Sequence, residues 1–319
     1  VIRASFFCVA ALLTLGAAPA LAAFPGKPGP IAYSKTLIRE LGGGEGFEDG
    51  GIYARRAAPR QRPRQLTLRP IDREPSYSAN GRRIVYVSDS ERSGLLNGIF
   101  TVTNQGRQMR ESRALGSGPS FFPNGNRILF ASKDESGYSH IYAARVNGTR
   151  PRQLTSGPYN DTEPAISPNG RRIAFVSDRD GDGDDIFTMR ANGNGIRILI
   201  DGPGQEGGPD YAPGGNRIVF SSSRGRGASN IFVARANGNA VRRLTRCVSF
   251  PRCPAYSDPA FSPRGRRIAV LSSTTRTSAI EVIRSDRRRP PLLTIDSGSI
   301  DEEGSGTTVG APTWGPRPR

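Results

Sequence analysis

The chain of 319 residues is poor in the side chains that most often carry catalysis. Its one histidine is His140, so a Ser-His-Asp triad would have to use that imidazole, and a multi-histidine metal centre has no second one. No Gly-x-Ser-x-Gly elbow marks an activated serine. His140 precedes Ile141-Tyr142 at the start of an apolar segment and reads as a structural or surface residue. Two carboxylates of a glycosidase, about 5 to 10 Å apart, could come from any two loops, but the composition selects no such pair. Long apolar runs are missing too: past the N-terminus nothing approaches the roughly 20 residues a spanning helix needs. Methionine is nearly absent and helical apolar spacing is scarce, which weighs against an α-rich protein. Lysine occurs only at positions 27, 35 and 133, so the net charge of +17 is arginine charge. Aromatics are not interleaved with it as a nucleic-acid stacking platform requires, and we expect no nucleic-acid partner.

The N-terminus has a different character. Val1-Ile2-Arg3, an apolar stretch from Phe6 to Ala18, and Ala20-Leu21-Ala22 follow the charged, greasy and small-residue order of a secretory signal peptide. Residues 1–22 are therefore left out of fold reasoning, and an exported chain is expected: periplasmic, cell-wall associated or extracellular, monomeric and without a transmembrane segment. Cys8 lies inside the apolar stretch without the small residues that precede a lipoprotein cysteine, so cleavage is expected rather than lipid anchoring. In an oxidising compartment the remaining pair, Cys247 and Cys253, reads as a disulfide that staples a loop.

What the chain has in abundance is glycine, 39 residues, and proline, 26. They punctuate a repeat. Glu74-Pro75-Ser76-Tyr77-Ser78-Ala79-Asn80-Gly81-Arg82-Arg83-Ile84 returns as Glu163-Pro164-Ala165-Ile166-Ser167-Pro168-Asn169-Gly170-Arg171-Arg172-Ile173, and again from Pro119, Pro209 and Pro259. The spacing is close to the roughly 40 to 50 residues of a four-stranded propeller blade. Each unit offers a short buried strand, an Asn-Gly turn tolerant of φ > 0, a second strand with period-two apolar residues, a third such as 186–189, and a fourth such as 241–245. The second-strand pattern occurs six times, with its Ile at 31, 84, 128, 173, 218 and 268. The first occurrence has no inner strand before it, whereas Ala311-Pro312-Thr313-Trp314-Gly315-Pro316 has no blade after it. An all-β, six-bladed β-propeller is predicted, with four antiparallel strands per blade. The blades are expected at 29–68 plus 312–315, 75–115, 119–155, 164–200, 209–245 and 259–295, so that the C-terminal strand closes the ring and hides its edges.

These repeats, with Ser-Asp-Arg-Asp-Gly before a strand and Ala-Asn-Gly at the ends of third strands, resemble those of the TolB-like propellers. The resemblance covers about residues 25–319 and implies a partner-binding propeller of the cell envelope. TolB itself carries an α/β domain ahead of its propeller, and the resemblance here is to the propeller alone, which leaves a Tol-Pal role without support.

Function is read from charge and loops. Connections between strands one and two and between strands three and four share one face of such a disc. That face collects Arg82, Arg83, Arg171, Arg172, Arg266, Arg267, Arg287, Arg288 and Arg289, against Glu111 and Asp286 alone. The opposite face collects Asp72, Glu74, Asp161, Glu163, Asp258, Asp301 and Glu302 as an acidic mouth. The simpler reading of any single arginine is a solvated turn. Together they point to a noncatalytic binder, with an anionic cell-wall polymer at the basic face and an envelope protein at the acidic mouth. The alternatives are a carbohydrate-active propeller enzyme, glycosidase or lyase, and a lectin-like binder of cell-wall glycan. No cofactor is expected beyond calcium at Asp178, Asp180, Asp182 and Asp184, whose spacing resembles half of a calcium loop. The twelfth position of that loop is Met189 where a bidentate Glu is needed, so a solvated loop is the plainer reading.

Overall fold

A computed structural model describes residues 23–41, 44–90, 95–107, 109–181, 183–224, 228–248, 250, 252–286, 291–301 and 305–318. The leader expected at 1–22 lies outside them. The strands form six antiparallel sheets of four strands each. Blade two runs from Arg73–Tyr77 to Arg110–Leu115, blade three from Ser117–Phe121 to Arg152–Gln153, and blade four from Asp161–Ile166 to Arg197–Ile200. Blade five runs from Glu206–Tyr211 to Arg242–Arg243 and blade six from Ala255–Phe261 to Leu293–Ser299. In blade one the C-terminal strand Gly306–Pro316 pairs with Pro28–Leu41, followed by Gly44–Arg56 and Arg64–Gln65. The chain's two ends thus share a blade, as the motif count predicted, and the shared strand is longer than 312–315.

The repeat motif explains each blade's geometry. In blade four Ser167 Oγ accepts the amide of Arg172, Asn169 Oδ1 accepts that of Arg171, and Gly170 takes φ 70°, so the turn between strands one and two satisfies its own backbone. The motif proline, which lacks an N–H, breaks the ladder: the register of the inner strand slips at Arg73/Ser76, Ser117/Ser120, Thr162/Ala165, Gly207/Asp210 and Ser257/Ala260. The residue just before it, Glu74, Gly118, Glu163, Gly208 or Asp258, sits at positive φ. Opposite aromatic rings from strands two and three stack in five blades, for instance Phe175 on Phe187 at 6.0 Å and Phe220 on Phe232 at 5.7 Å. Blade six sets Val270 against Glu281 instead.

The buried apolar residues fall into six clusters, and each is a seam between consecutive blades. Blade one has a seam on both sides. Trp314 is buried against blade six and donates its indole N–H to Gly29 O at 3.2 Å. Beside it, Gly315 packs so close to the Tyr77 ring that a Cβ would lie 2.5 Å from it. Within a blade the two hairpin turns are stitched together on one face, by Ala191 N to Arg171 O at 2.9 Å and Ala236 N to Asn216 O at 3.0 Å. The remaining connections meet on the other, where Asn160 N donates to Asp178 at 2.8 Å. Among the described residues no helix is long and apolar enough to cross a membrane.

Candidate functional site

The carboxylates of the expected acidic mouth lie mostly inside the molecule, a departure from the solvent-facing lining that the sequence suggested. Asp161 is fully buried, and Arg179 Nη2 donates to its two oxygens at 2.6 and 2.8 Å. The same guanidinium lies over the rings of Phe175, Phe187 and Tyr159. Blade five repeats the device: Glu206 accepts Arg224 at 2.8 Å and Ser222 at 2.7 Å, with Arg224 over Phe220 and Phe232. Blade two has the acid, Asp72, but Ser90 stands in the sequence where the arginine would be; burial pushes the Asp72 carboxyl up. Glu74 and Glu163 accept the amides of Gly118 and Gly208 at 2.7 and 2.6 Å, each tying its blade to the next. Desolvation raises both carboxyls. Asp258 is buried and accepts Ser257 Oγ at 2.6 Å. Asp301 is exposed and accepts Ser305 N at 2.9 Å; Glu302 lies outside the described residues. Charge pattern alone could not separate these from exposed acids, because burial depends on a partner supplied two strands or a whole blade away.

The single imidazole is structural in its placement. His140 is buried between blades three and four, its Nε2 3.0 Å from Asp134 and its Nδ1 3.7 Å from Asp161. Of the acidic loop, Asp178 accepts both the backbone and side-chain nitrogens of Asn160, Asp180 is exposed, and Asp184 is half-buried; Asp182 lies outside the described residues. Among the described residues no three carboxylate, imidazole or thiolate groups gather as a metal site requires. Cys247 and Cys253 are bonded, with their Cα atoms 5.4 Å apart.

The arginines are placed differently. Arg82, Arg171, Arg172, Arg266 and Arg267 are exposed on the hairpin-turn face and Arg83 is half-buried there; Arg287, Arg288 and Arg289 lie outside the described residues. The first arginine of each second strand shows how seams on this face are closed. Arg83 lies over Phe121 and donates to Gly125 O in the next blade; Arg217 lies over Phe261 and donates to Gly265 O at 2.8 Å. Arg127, whose counterpart in the next blade's repeat is Ile166 and not an aromatic residue, lies over Phe122 of its own blade. Arg172 does neither. Its counterpart in the next blade is Tyr211, whose ring carries a hydroxyl where Phe121 and Phe261 have none. At the seam between blades four and five lies a cleft of about 650 Å³, lined by Arg171, Arg172, Arg190, Asn169, Asn192 and Tyr211. The three guanidinium groups have no hydrogen-bond or ion-pair partner among the described residues, and the buried Tyr211 hydroxyl has none either. A second cleft of about 530 Å³, between blades two and three, contains Arg83, Arg110 and Arg145 but also Glu111.

Comparison with known proteins agrees with this architecture. Residues 74–199 match the family described as the TolB beta propeller domain. That stretch covers blades two to four of this six-bladed propeller, and it is there that the chain is similar to the family. Its fold is similar to that of TolB from Acinetobacter baumannii, at 18% identity and a TM-score of 0.66 over 91% of this chain and 67% of that one. It is similar to TolB, so described, from Agrobacterium tumefaciens at 19% identity and a TM-score of 0.64, over 88% of this chain and 98% of that one. The hydrazine synthase of Kuenenia stuttgartiensis contains a similar propeller, at 14% identity and a TM-score of 0.65, over 92% of this chain and 48% of that one. The TolB-like fold is thus shared with an enzyme, and at these identities the likeness speaks of fold alone.

Proposed function

We propose that this propeller is an exported, noncatalytic binding protein of the cell envelope, and that its arginine-rich face holds an anionic polymer. The observation that carries this reading is the open cleft between blades four and five. Arg171, Arg172 and Arg190 bring fixed positive charge to one place without internal counter-ions, whereas the buried acids of the opposite face are spent on the fold. Three planar guanidiniums offer paired N–H donors, the geometry that phosphate and carboxylate oxygens match. The remaining arginines of the face extend a field along which a polymer is drawn and oriented. A noncatalytic role agrees with the one imidazole being held between Asp134 and Asp161. The exposed tip of the disulfide loop, with Val248 and Phe250, lies on the opposite face and offers a protein partner an apolar contact.

The test is binding of a phosphodiester polymer, such as a glycerol-phosphate oligomer, across a salt series. Affinity should fall steeply between low and physiological salt, as exposed charge is screened over about 8 Å at 0.15 M. Arg172→Glu should weaken binding about ten-fold or more, and more than Arg145→Glu, which removes equal charge from the clasped cleft. Salt-independent binding, or equal losses in the two variants, would overturn the assignment of this cleft.

A further inference from the structure

Blade five has a carboxylate where the other blades have none. The residue after the inner-strand proline is Ser76, Ser120, Ala165, Ala260 or Thr313 in the others, all small and uncharged, and Asp210 here. Asp210 is fully buried. Its Oδ2 accepts the amide of Phe261 at 2.6 Å across the seam to blade six, and its Oδ1 stands 3.2 Å from the backbone nitrogen of Ala23. No cation pairs with it among the described residues, and desolvation pushes its carboxyl well above the usual range. A buried carboxylate held by neutral amides alone is a costly arrangement, and one that a single added positive charge would repair.

Ala23 is itself held tightly. It is 2% exposed, packs in the seam of blades five and six, and its nitrogen lies 3.4 Å from Tyr211 O as well. Phe24 is buried in the seam of blades three and four, and Gly26 N donates to Pro263 O at 3.2 Å. Residues 23–26 therefore reach several blades, with the Ala23 nitrogen aimed at a fully buried carboxylate that no cation among the described residues pairs with. That nitrogen is also the atom that follows Ala20-Leu21-Ala22, the small-residue end of the leader.

We propose that hydrolysis of the Ala22–Ala23 peptide bond frees an α-ammonium that docks on Asp210, and that this buried ion pair locks the processed chain into the ring. Water adds across the amide: Ala22 departs as a carboxylate, and the Ala23 nitrogen takes up protons to become an ammonium. It then has three donors instead of one, and Asp210 Oδ1 and Tyr211 O already stand in reach of two. The burial of Ala23 places the cut, by a peptidase that acts after small residues, before the propeller closes. The inference rests on the reading of residues 1–22 as a removable leader. It adds the structural purpose of the cut: a chain that keeps even one residue ahead of Ala23 carries its ammonium away from Asp210.

N-terminal sequencing of the exported protein should give Ala23; any other start overturns the leader reading and the proposal with it. Chains beginning at Ala23 and at Ala22, each with and without Asp210→Asn, then form a double-mutant cycle. With Asp210 present, the extra alanine should raise the unfolding equilibrium constant by about two to three orders of magnitude, the scale of breaking a buried ion pair; with Asn it should change little. The α-amine of the Ala23 chain should resist an amine-reactive label in the folded protein and become reactive in Asp210→Asn. An extra alanine that costs the same with either residue at 210, or an amine labelled at the same rate in both, overturns the docking while leaving the leader reading intact.

Discussion

Arg179 and Arg224 show how one side chain can serve three purposes. Each neutralises a buried acid, covers a stacked aromatic pair, and donates its Nε–H to the serine two residues before it, Ser177 or Ser222. Arg179→Ala removes the cation and leaves Asp161 buried beside His140, so denaturant unfolding should show a loss of about 3 to 5 kcal/mol. Asp185 has the opposite problem. Desolvation, then a hydrogen bond with Glu206, pushes its carboxyl up to about 8. The native state therefore keeps a proton that the unfolded chain gives up near pH 4, and this group's contribution to stability falls as pH rises from about 4 to about 8. Asp185→Asn needs no proton. It should raise stability at pH 7 by about 1 to 3 kcal/mol and flatten the stability profile between pH 4 and 8; an unchanged profile would show that the carboxyl titrates normally. Sequence singled out neither Arg179 nor Glu206. A signal was present, in Ser177-Asp178-Arg179 and Ser222-Ser223-Arg224 each following a second strand, with Asp161 and Glu206 three residues before a motif proline.

Elements here are interchangeable in pattern but not in connection. Five inner strands follow directly from the preceding blade, while the sixth, Gly306–Pro316, returns to blade one and pairs with Pro28–Leu41. Deleting residues 311–319 should therefore do more than trim a tail. It removes Trp314 from the seam with blade six and the Gly315 backbone from its contact with Tyr77, and it strips the inner partner from Pro28, Ile31 and Ala32 while Gly306–Gly310 stays paired with Ser34–Ile38. The cost should be at least the roughly 3 to 5 kcal/mol of losing one buried tryptophan, read as a lower melting temperature with concentration-dependent association. A melting temperature equal to that of the intact chain would contradict a shared blade. The strand itself was legible, because Pro312-Thr313-Trp314 matches the inner-strand motif; its N-terminal extension to Gly306 was not, since Thr307, Thr308 and Val309 carry no proline or turn signal.

At the scale of the molecule, antiparallel four-stranded blades send every Asn-Gly turn to one face, so a local habit of placing arginine after that turn becomes a global charge asymmetry. The blade count, the strand order and the ring closure were all legible in the sequence. Each of these follows from periodicity, and periodicity is a property of the chain. Tertiary structure alone decided which charges are free. Asp161 and Arg172 are both charged residues close to a repeat motif, yet Asp161 meets Arg179 and is buried, whereas Arg172 meets Tyr211 in place of a phenylalanine and is left in an open cleft. The position of Ala23 beside Asp210, 187 residues away in sequence, belongs to the same class. No local pattern encodes such contacts, because desolvation and pairing depend on what the neighbouring blade brings to the seam.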